Sequence, residues 1–278
     1  MRTPYYARPP GGIPPQNQML SDRAVFTNAY VVIPKGVQRD IVYSLLPHWR
    51  AAKFWILARP LSGFSETFSH YIAKIAPTGG TIRKEGEDGV QSALFLTHGI
   101  AEVEYGGKMV RMTPGSFVYL PPGARWSLRV RGERTATFHW IRKRYIEVDG
   151  IAPPAFFHRN ENDVPHENMP CEGGEWSTTR FIDPDDLAFD FHVTIVNIDP
   201  GIAIPFAETH VMEHGLYVLQ GKGVYRLNSD WVEVEAGDYM WLRAFCPQAC
   251  YGGAPEQFRY LLYKDVNRHA ALPPVPRF

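Results

Sequence analysis

The sequence predicts an all-β protein built from two copies of one β-rich unit. Short runs of β-branched and aromatic residues recur along the 278 residues and end at Gly or Pro, which is typical of strands joined by tight turns. The second observation is an internal repeat of constant spacing. Its anchor pairs each lie 122 positions apart: His70 and His192, Gly79 and Gly201, Gly99 and Gly221, Gly115 and Gly237.

The elements before the repeat are short. Residues 1–17 are rich in Pro and Gly and predict an extended arm. Four strand candidates follow, at 24–26, 30–33, 39–46 and 53–58. Pro, Asn, Glu and Gly then concentrate at 148–176, where we place the seam between the copies. We therefore predict a first unit over 1–150, including the arm, and a linker with the second unit over 151–278.

The charge of the chain is balanced, with 29 Lys and Arg against 29 Asp and Glu. This balance does not favour a nucleic-acid or membrane-surface partner. No apolar run is long enough to span a bilayer, and the N-terminal residues lack the apolar segment of a secretory signal. The cysteines, Cys171, Cys246 and Cys250, are odd in number, which favours free thiols in a reducing compartment. We expect a cytoplasmic protein.

The chemistry concentrates in residues 208–215 (ETHVMEHG), between strand candidates at 191–198 and 216–219. In an extended backbone, side chains two apart share a face. Glu208, His210 and His214 are therefore expected to point one way and Glu213 the other. Two imidazoles and a carboxylate on one face are a donor set for a divalent first-row metal. The alternative is a solvated polar loop, which three spaced donors make less attractive.

Both copies repeat one layout of strand, Gly turn, donor segment, strand, Gly, hairpin, Pro/Gly turn and strand. Residues 115–123 (GSFVYLPPG) have a Gly, five residues and then Pro-x-Gly. This arrangement resembles the cupin superfamily, and the resemblance implies a double-stranded β-helix barrel for each half, hence a bicupin. Gly and Pro at the sharp corners make physical sense, because such corners need a positive or a fixed φ.

The two copies differ in their donors. At the spacing of 122, the three donors of the second copy fall opposite residues without an imidazole: Gly86, Asp88 and Ser92. The place of the last cupin ligand holds Trp126 in the first copy and Gln248 in the second. A Gln amide oxygen can bind a metal, whereas Trp offers only an N–H donor. We therefore predict a metal-free first barrel and, in the second, a metal held by Glu208, His210, His214 and Gln248.

Two nitrogen and two oxygen donors with open positions suit Mn or Fe more than a closed zinc site. The usual cupin set of three His and one Glu is altered here, because Glu comes first, His takes the Glu place and Gln comes last. With these departures, the sequence resembles the (S)-ureidoglycine aminohydrolases, which are bicupins of allantoin breakdown in purine catabolism. Some members of that family are labelled glyoxylate-induced proteins. The resemblance covers most of the second half and is weaker in the first. The segments that carry it are 208–215, 221–225, 237–239, 248–252 and 263–268.

That resemblance implies Mn²⁺ at the four ligand positions, with another divalent first-row metal as the alternative. It also implies that Tyr260 and Lys264 lie at the substrate. Independently, residues 260–264 form a strand candidate in which these two share a face. An inward Lys is unusual unless it meets an anion, although a Lys at a fraying strand end would give the same pattern.

The activity implied is hydrolysis of (S)-ureidoglycine, a small ureido substrate, to (S)-ureidoglycolate and ammonia. Lys264 would neutralise the substrate carboxylate or a developing charge, and Tyr260 would hydrogen-bond a ureido or carboxylate oxygen. Glu208 and Gln248 would touch both metal and substrate. Glu208 is the candidate proton shuttle, and whether it or Lys264 handles the proton stays open.

Two other functions fit the same residues. One is a different metal-dependent cupin reaction, by a dioxygenase or an isomerase, because the donor set also suits Fe(II) and O₂. The other is a non-catalytic cupin that binds a small ligand. Exposed sheet edges and the family both favour a homo-oligomer. His70 and His192 lack donor neighbours in sequence, so we expect both to be packing residues.

Overall fold

The computed structural model describes residues 23–35, 45–169, 175–265 and 268, and these ranges consist mostly of β-strands and turns. The predicted all-β class is confirmed. The predicted arm at 1–17, most of the strand candidate at 39–46 and Cys171 lie outside the described residues. Within the described ranges, no helix has the length and apolar character needed to cross a bilayer.

The first half contributes eleven strands to the described structure. They are β1 (Val25–Phe26), β2 (Tyr30–Ile33), β3 (Trp49–Ala58), β4 (Phe68–Thr81), β5 (Val90–His98), β6 (Ile100–Tyr105), β7 (Lys108–Met112), β8 (Ser116–Leu120), β9 (Trp126–Arg131), β10 (Ala136–Arg144) and β11 (Phe157–Asn160).

The second half contributes nine strands. They are β12 (His166–Asn168), β13 (Trp176–Arg180), β14 (His192–Ile198), β15 (His214–Gln220), β16 (Lys222–Leu227), β17 (Asp230–Glu235), β18 (Tyr239–Leu242), β19 (Gln248–Gly252) and β20 (Phe258–Lys264). Two 3-10 turns, Pro60–Ser62 and Glu161–Asp163, complete the described secondary structure.

The first barrel is one curled 9-stranded sheet in the order β11-β8-β5-β10-β4-β9-β6-β7, with β3 paired to β4. Strand β4 closes it, because its 14 residues pair with β3 and β10 and reach β9 at Gly80 and Arg129. The barrel interior is filled by large apolar side chains, including Phe54, Trp126 and Trp140.

The second barrel is made of an 8-stranded sheet, β1-β2-β18-β15-β20-β14-β13-β12, and a 3-stranded sheet, β17-β16-β19. The isolated bridges Ala203–Tyr251 and Glu208–Gln248 connect the segment after β14 to β19, so the two sheets enclose one interior. Apolar side chains such as Leu216, Tyr225 and Phe258 fill part of this interior.

The predicted repeat appears in the strands themselves. Strands β6 and β16 begin and end 122 positions apart, and Leu94 opposite Trp140 corresponds to Leu216 opposite Leu262. Even the bulge recurs, because the β5–β10 and β15–β20 ladders each shift register at the corresponding place.

Gly99 and Gly221 show why the turns are repeated. Both have positive φ, 78° and 70°. A Cβ would lie 2.6 Å from the carbonyl oxygen of Thr135 at Gly99 and 2.6 Å from that of Gln257 at Gly221. Only glycine allows this close backbone approach, so the same residue type is required twice.

Before the donor segment, however, the copies are one residue out of the predicted alignment. Lys264 pairs with His192 on β14, whereas its counterpart Arg142 pairs with Ser69 on β4. His192 therefore corresponds to Ser69, not to His70, and the spacing there is 123 rather than 122.

The same slip is present at the bridge before β15. Glu208 bridges to Gln248 as Glu85 bridges to Trp126, so Glu85 is the counterpart of Glu208, and the predicted partner Gly86 is wrong by one position. The second copy has one residue fewer between this bridge and the following strand. Because side chains alternate along a strand, the residues of β14 that face inward are the opposite set from those expected at a spacing of 122.

The two barrels pack against each other and exchange elements. Phe68 stacks on Tyr263 with ring centroids 4.0 Å apart, inside an apolar cluster drawn from both halves. At the chain's N-terminal side, β2 pairs with β18 of the second barrel, and after the first barrel β11 returns to pair with β8. The boundary at residue 150 stays a prediction.

Candidate active site

A cavity of about 290 Å³ opens in the second barrel. It is large enough for a small polar molecule and a few waters. The side chains that the sequence singled out share this cavity: Glu208, His210, His214, Gln248, Tyr260 and Lys264. Residues separated by 56 positions, from Glu208 to Lys264, are thus brought to one interior.

Three adjacent strands of the large sheet form one wall. Lys264 on β20 lies in register between His192 on β14 and His214 on β15. Tyr260, four residues before Lys264, shares its face because side chains alternate. The period-two prediction for Tyr260 and Lys264 is therefore consistent with the ladder, and both line the cavity.

Glu208 and His210 come from the loop before β15. Glu208 and Gln248 exchange two backbone hydrogen bonds of 2.9 Å, and the Phe245 amide donates to the His210 carbonyl at 2.7 Å. The segment is not one extended strand as expected, since it bends at 211–212. The side chains of Glu208, His210 and His214 nevertheless line the same cavity.

Glu213 points away from the cavity, as predicted, into the interface with the first barrel. Its carboxylate accepts hydrogen bonds from the amides of Glu66 and Thr67 at 3.0 and 2.6 Å, from the Thr67 hydroxyl and from Trp241 Nε1 at 2.8 Å. The loop that presents the donors is thus anchored on residues nearly 150 positions earlier. Sequence periodicity gave the direction of Glu213 but carried no signal for these distant partners.

The donor side chains are close but are not drawn onto a common point. His210 Nε2 lies 3.4 Å from a Glu208 carboxylate oxygen, and the His210 and His214 rings are 5.0 Å apart between centroids. In the described part of the chain, no three His, Cys, Asp or Glu side chains form a ready ligand cluster. The predicted fourth donor is Gln248, which is 6% exposed.

Two features of His214 fit a metal ligand. Both of its ring nitrogens are buried without a hydrogen-bond partner among the described residues, although buried polar atoms normally have one. Burial, Lys264 and His210 lower the pKa of His214 well below its usual value, so the imidazole is neutral and can donate a lone pair. The donor set therefore fits a divalent cation in its chemistry.

Opposite charges face each other across the cavity. Burial would raise the pKa of Glu208, but the hydrogen bond to His210 and the charges of His210 and Lys264 outweigh it and lower that pKa. Burial lowers the pKa of Lys264 despite the opposing effect of Glu208. Burial also raises the pKa of Tyr260 well above its usual value, so its hydroxyl stays a hydrogen-bond donor.

Aromatic rings pack in the interior of the first barrel. Trp126, at the position of Gln248, packs edge-on against Trp140 and Trp49 with centroids 5.5 and 5.9 Å apart. The counterpart of Glu208, Glu85, accepts a hydrogen bond of 2.7 Å from Trp49 Nε1. The first copy has kept the carboxylate, but here it is bound to an indole N–H and lies next to the packed Trp126.

Two arginines of the first copy form ion pairs at the surface. Arg142, the counterpart of Lys264, lies 3.0 Å from Glu87, and Arg125 lies 2.7 Å from Asp88. The ion pair with Glu87 gives Arg142 a structural role at the surface.

The sequence missed two members of the cavity wall, His192 and Arg180. His192, expected to be a packing residue, lines the cavity beside Lys264, and so does Arg180 of β13. The signal was present only in the register of β14, which the predicted alignment with His70 had displaced by one residue.

Comparisons with known proteins agree with this architecture. No protein-family model matches the chain. It is 31% identical over 260 residues to the (S)-ureidoglycine aminohydrolase of Escherichia coli, covering 92% of this chain and 96% of that relative. Its structure matches a crystal structure from Pseudomonas aeruginosa, described as a candidate glyoxylate-induced protein, with a TM-score of 0.87 and 56% identity, covering 96% of this chain and 98% of that one.

A more distant match concerns the fold alone. Bacillus subtilis oxalate decarboxylase, a cupin protein, aligns with a TM-score of 0.66 at 12% identity, over 90% of this chain and 81% of its own. The predicted cupin fold is confirmed. With the identity to the curated relative extending over nearly the whole of both chains, the protein belongs to the (S)-ureidoglycine aminohydrolase family of hydrolases.

Proposed function

We propose that this protein hydrolyses (S)-ureidoglycine to (S)-ureidoglycolate and ammonia in the breakdown of allantoin, with a divalent cation, Mn²⁺, in the second barrel. The observation that carries the proposal is the convergence of the six predicted site residues on one cavity. Family membership supports the reaction, because the E. coli relative carries this activity in its name.

Glu208, His210, His214 and Gln248 would hold the cation. Two imidazole nitrogens and two oxygen donors suit Mn²⁺ and leave positions for substrate. When bound, the cation would supply Lewis-acid polarisation of a substrate donor atom and fix the orientation of the chiral carbon.

The remaining chemistry belongs to the chain. Lys264, whose ammonium stands in the wall between His192 and His214, neutralises the substrate carboxylate. Tyr260 donates a hydrogen bond from its hydroxyl to a ureido or carboxylate oxygen. Together they hold the substrate in one orientation, so the reacting carbon meets water from one side.

Glu208 moves the proton. Hydrolysis forms a bond from the water oxygen to the central carbon and breaks the bond from that carbon to the amine nitrogen. Glu208, whose lowered pKa keeps it ionised, accepts a proton from the water and returns it to the departing amine, which leaves as ammonia.

The test is ammonia release from freshly prepared (S)-ureidoglycine by the Mn²⁺-loaded protein, with His210→Ala in parallel. We expect metal-dependent release far above the spontaneous rate, absent in the variant. No acceleration while Mn²⁺ is demonstrably bound would refute the substrate assignment. Oxygen consumption by the Fe(II)-loaded protein would instead indicate the dioxygenase reaction.

A further inference from the structure

His192 opens strand β14 and stands beside Lys264 in the cavity wall. The cross-strand row His192–Lys264–His214 joins three adjacent strands, and all three side chains line the cavity. The position follows from the register of β14 on β20, in which His192 corresponds to Ser69 and not to His70. His70, on the opposite face of its strand, is buried between the barrels and lies 3.0 Å from His139 Nδ1.

The His192 imidazole has an unused hydrogen-bonding atom. The residue is 8% exposed, and its Nε2 is buried without a partner among the described residues. An unmet buried polar group costs free energy, so such groups usually have a partner or await one. Here the unmet atom belongs to a side chain that lines a cavity.

The charges around His192 define what that partner is. Lys264 and Arg180 are the positive neighbours, and Asp183 and Asp185 are the negative ones. Arg180 is already paired with Glu167 at 2.7 Å, and Lys264 is the cation that lies opposite His192 on the neighbouring strand. Burial, followed by Lys264 and Arg180, lowers the pKa of His192 to about 4, so the ring is neutral and donates one hydrogen bond.

We propose that His192 is a further substrate-binding residue, whose Nε2–H donates a hydrogen bond to the substrate carboxylate that Lys264 neutralises. The inference rests on the proposed function, because it assigns a partner to the acidic end of that substrate. The substrate carboxylate then has two partners: Lys264 on β20 supplies the charge, and His192 on β14 donates a directed hydrogen bond.

The test compares His192→Phe, which fills the space without a donor, with His192→Gln, whose amide nitrogen reaches near the place of Nε2. The probe is N-carbamoylglycine, which has the carboxylate and ureido groups but no leaving amine. Its affinity for the Mn²⁺-loaded protein is measured by calorimetry, next to that of its methyl ester. The exposed His98→Gln is the control, and thermal unfolding checks that each variant is folded.

We expect His192→Phe to bind the acid about tenfold more weakly, as one hydrogen bond would give. The preference of the protein for the acid over its methyl ester should shrink by the same factor. Comparing wild type and variant with acid and ester forms a double-mutant-type cycle, which isolates the contact with the carboxylate. In turnover, KM should rise by about that factor while kcat changes less, and His192→Gln should recover most of the loss.

Unchanged binding by folded His192→Phe would overturn the inference while leaving ammonia release, and hence the proposed function, in place. An equal loss for acid and ester in both variants would overturn it as well, since that result indicates packing. If the wild-type protein neither releases ammonia nor binds the acid, the proposed function fails first and the inference fails with it.

Discussion

The carboxylate of Glu213 accepts a hydrogen bond of 2.6 Å from the backbone amide of Thr67, and this bond joins the two barrels immediately beside the site. The next residue, His214, faces the cavity. The two neighbouring side chains thus have different roles: Glu213 holds the barrels together, and His214 presents its imidazole to the cavity.

Replacing Glu213 should weaken the contact between the barrels and the anchoring of the segment that carries His214. Glu213→Ala removes the acceptor of four hydrogen bonds, from the amides of Glu66 and Thr67, the Thr67 hydroxyl and Trp241 Nε1, and should lower the free energy of unfolding by about 3 kcal/mol. Urea unfolding measures the loss, with the exposed neighbour Glu66→Ala as control. A variant as stable as wild type would show that the contact between the barrels does not depend on this carboxylate.

Removing a predicted ligand should remove the cation. His214→Ala is expected to weaken Mn²⁺ binding at least about 100-fold, since even residues that merely support a ligand cost up to that much. Titration followed by the electron paramagnetic resonance of free Mn²⁺ gives the affinity without any reliance on turnover. The control is Glu85→Gln, which changes the first-barrel counterpart of Glu208 and should bind Mn²⁺ as wild type does. Equal loss in both would contradict a site confined to the second barrel.

Glu208→Gln separates binding from proton transfer. The amide keeps an oxygen donor but cannot carry the proton, so turnover should fall by about 10² to 10⁴. Steady-state ammonia release, together with metal content, tests this. A near-normal rate with Mn²⁺ bound would transfer the proton role to another group, with Lys264 the first to be tested.

The Trp126→Gln variant tests whether the first barrel can be made to bind a metal. The substitution installs the side chain found at Gln248 but opens a cavity among Trp49 and Trp140, at a cost of about 3–5 kcal/mol of stability. We expect a lower unfolding midpoint, no added Mn²⁺ per chain and unchanged ammonia release by the folded fraction. A second bound Mn²⁺ would show that Trp126 alone keeps that barrel metal-free.

Acid should destabilise the contact between the barrels through His70 and His139. Burial lowers the pKa of His139 to about 3 and that of His70 well below its usual value. The unfolded chain therefore takes up these protons first, below about pH 6.5, and each histidine removes about 1.4 kcal/mol per pH unit from there downward. The stability that they contribute is complete above that pH.

A double variant provides the matched control for this prediction. The counterparts of His70 and His139 in the second copy are Val193 and Leu261, both buried. Urea midpoints at pH 7 and pH 5 should converge in His70→Val/His139→Leu compared with wild type. The same fall in both proteins would assign the acid sensitivity to other groups.

Local patterns were sufficient for much of the site. Period-two spacing placed Tyr260 and Lys264 on one face of β20 and Glu213 opposite its neighbour His214, because adjacent side chains of extended backbone point to opposite sides. The predicted spacing of 122 holds from β5 to β10 and their copies, since turn glycines such as Gly99 and Gly221 are required by close backbone contacts that recur.

What could not be predicted depends on distant pairing. A one-residue difference before β15 leaves the apolar pattern intact, and only the partner of Lys264 on β14 reveals that His192 faces inward. The same holds for Thr67 as a partner of Glu213, and for the pairing of β2 with β18, which no local pattern encodes.

The exchange of β1 and β2 into the second barrel also sets an order of events during synthesis. Tyr30 is made early but lies opposite Leu242, which follows more than 200 residues later. At about 5–20 residues per second, the ribosome needs about 10–40 seconds to deliver that partner. The first barrel can close its own sheet meanwhile, with β11 as its last strand. Strands β1 and β2 are then among the last to dock, and the second barrel completes its sheet only after β18 and β20 have been made.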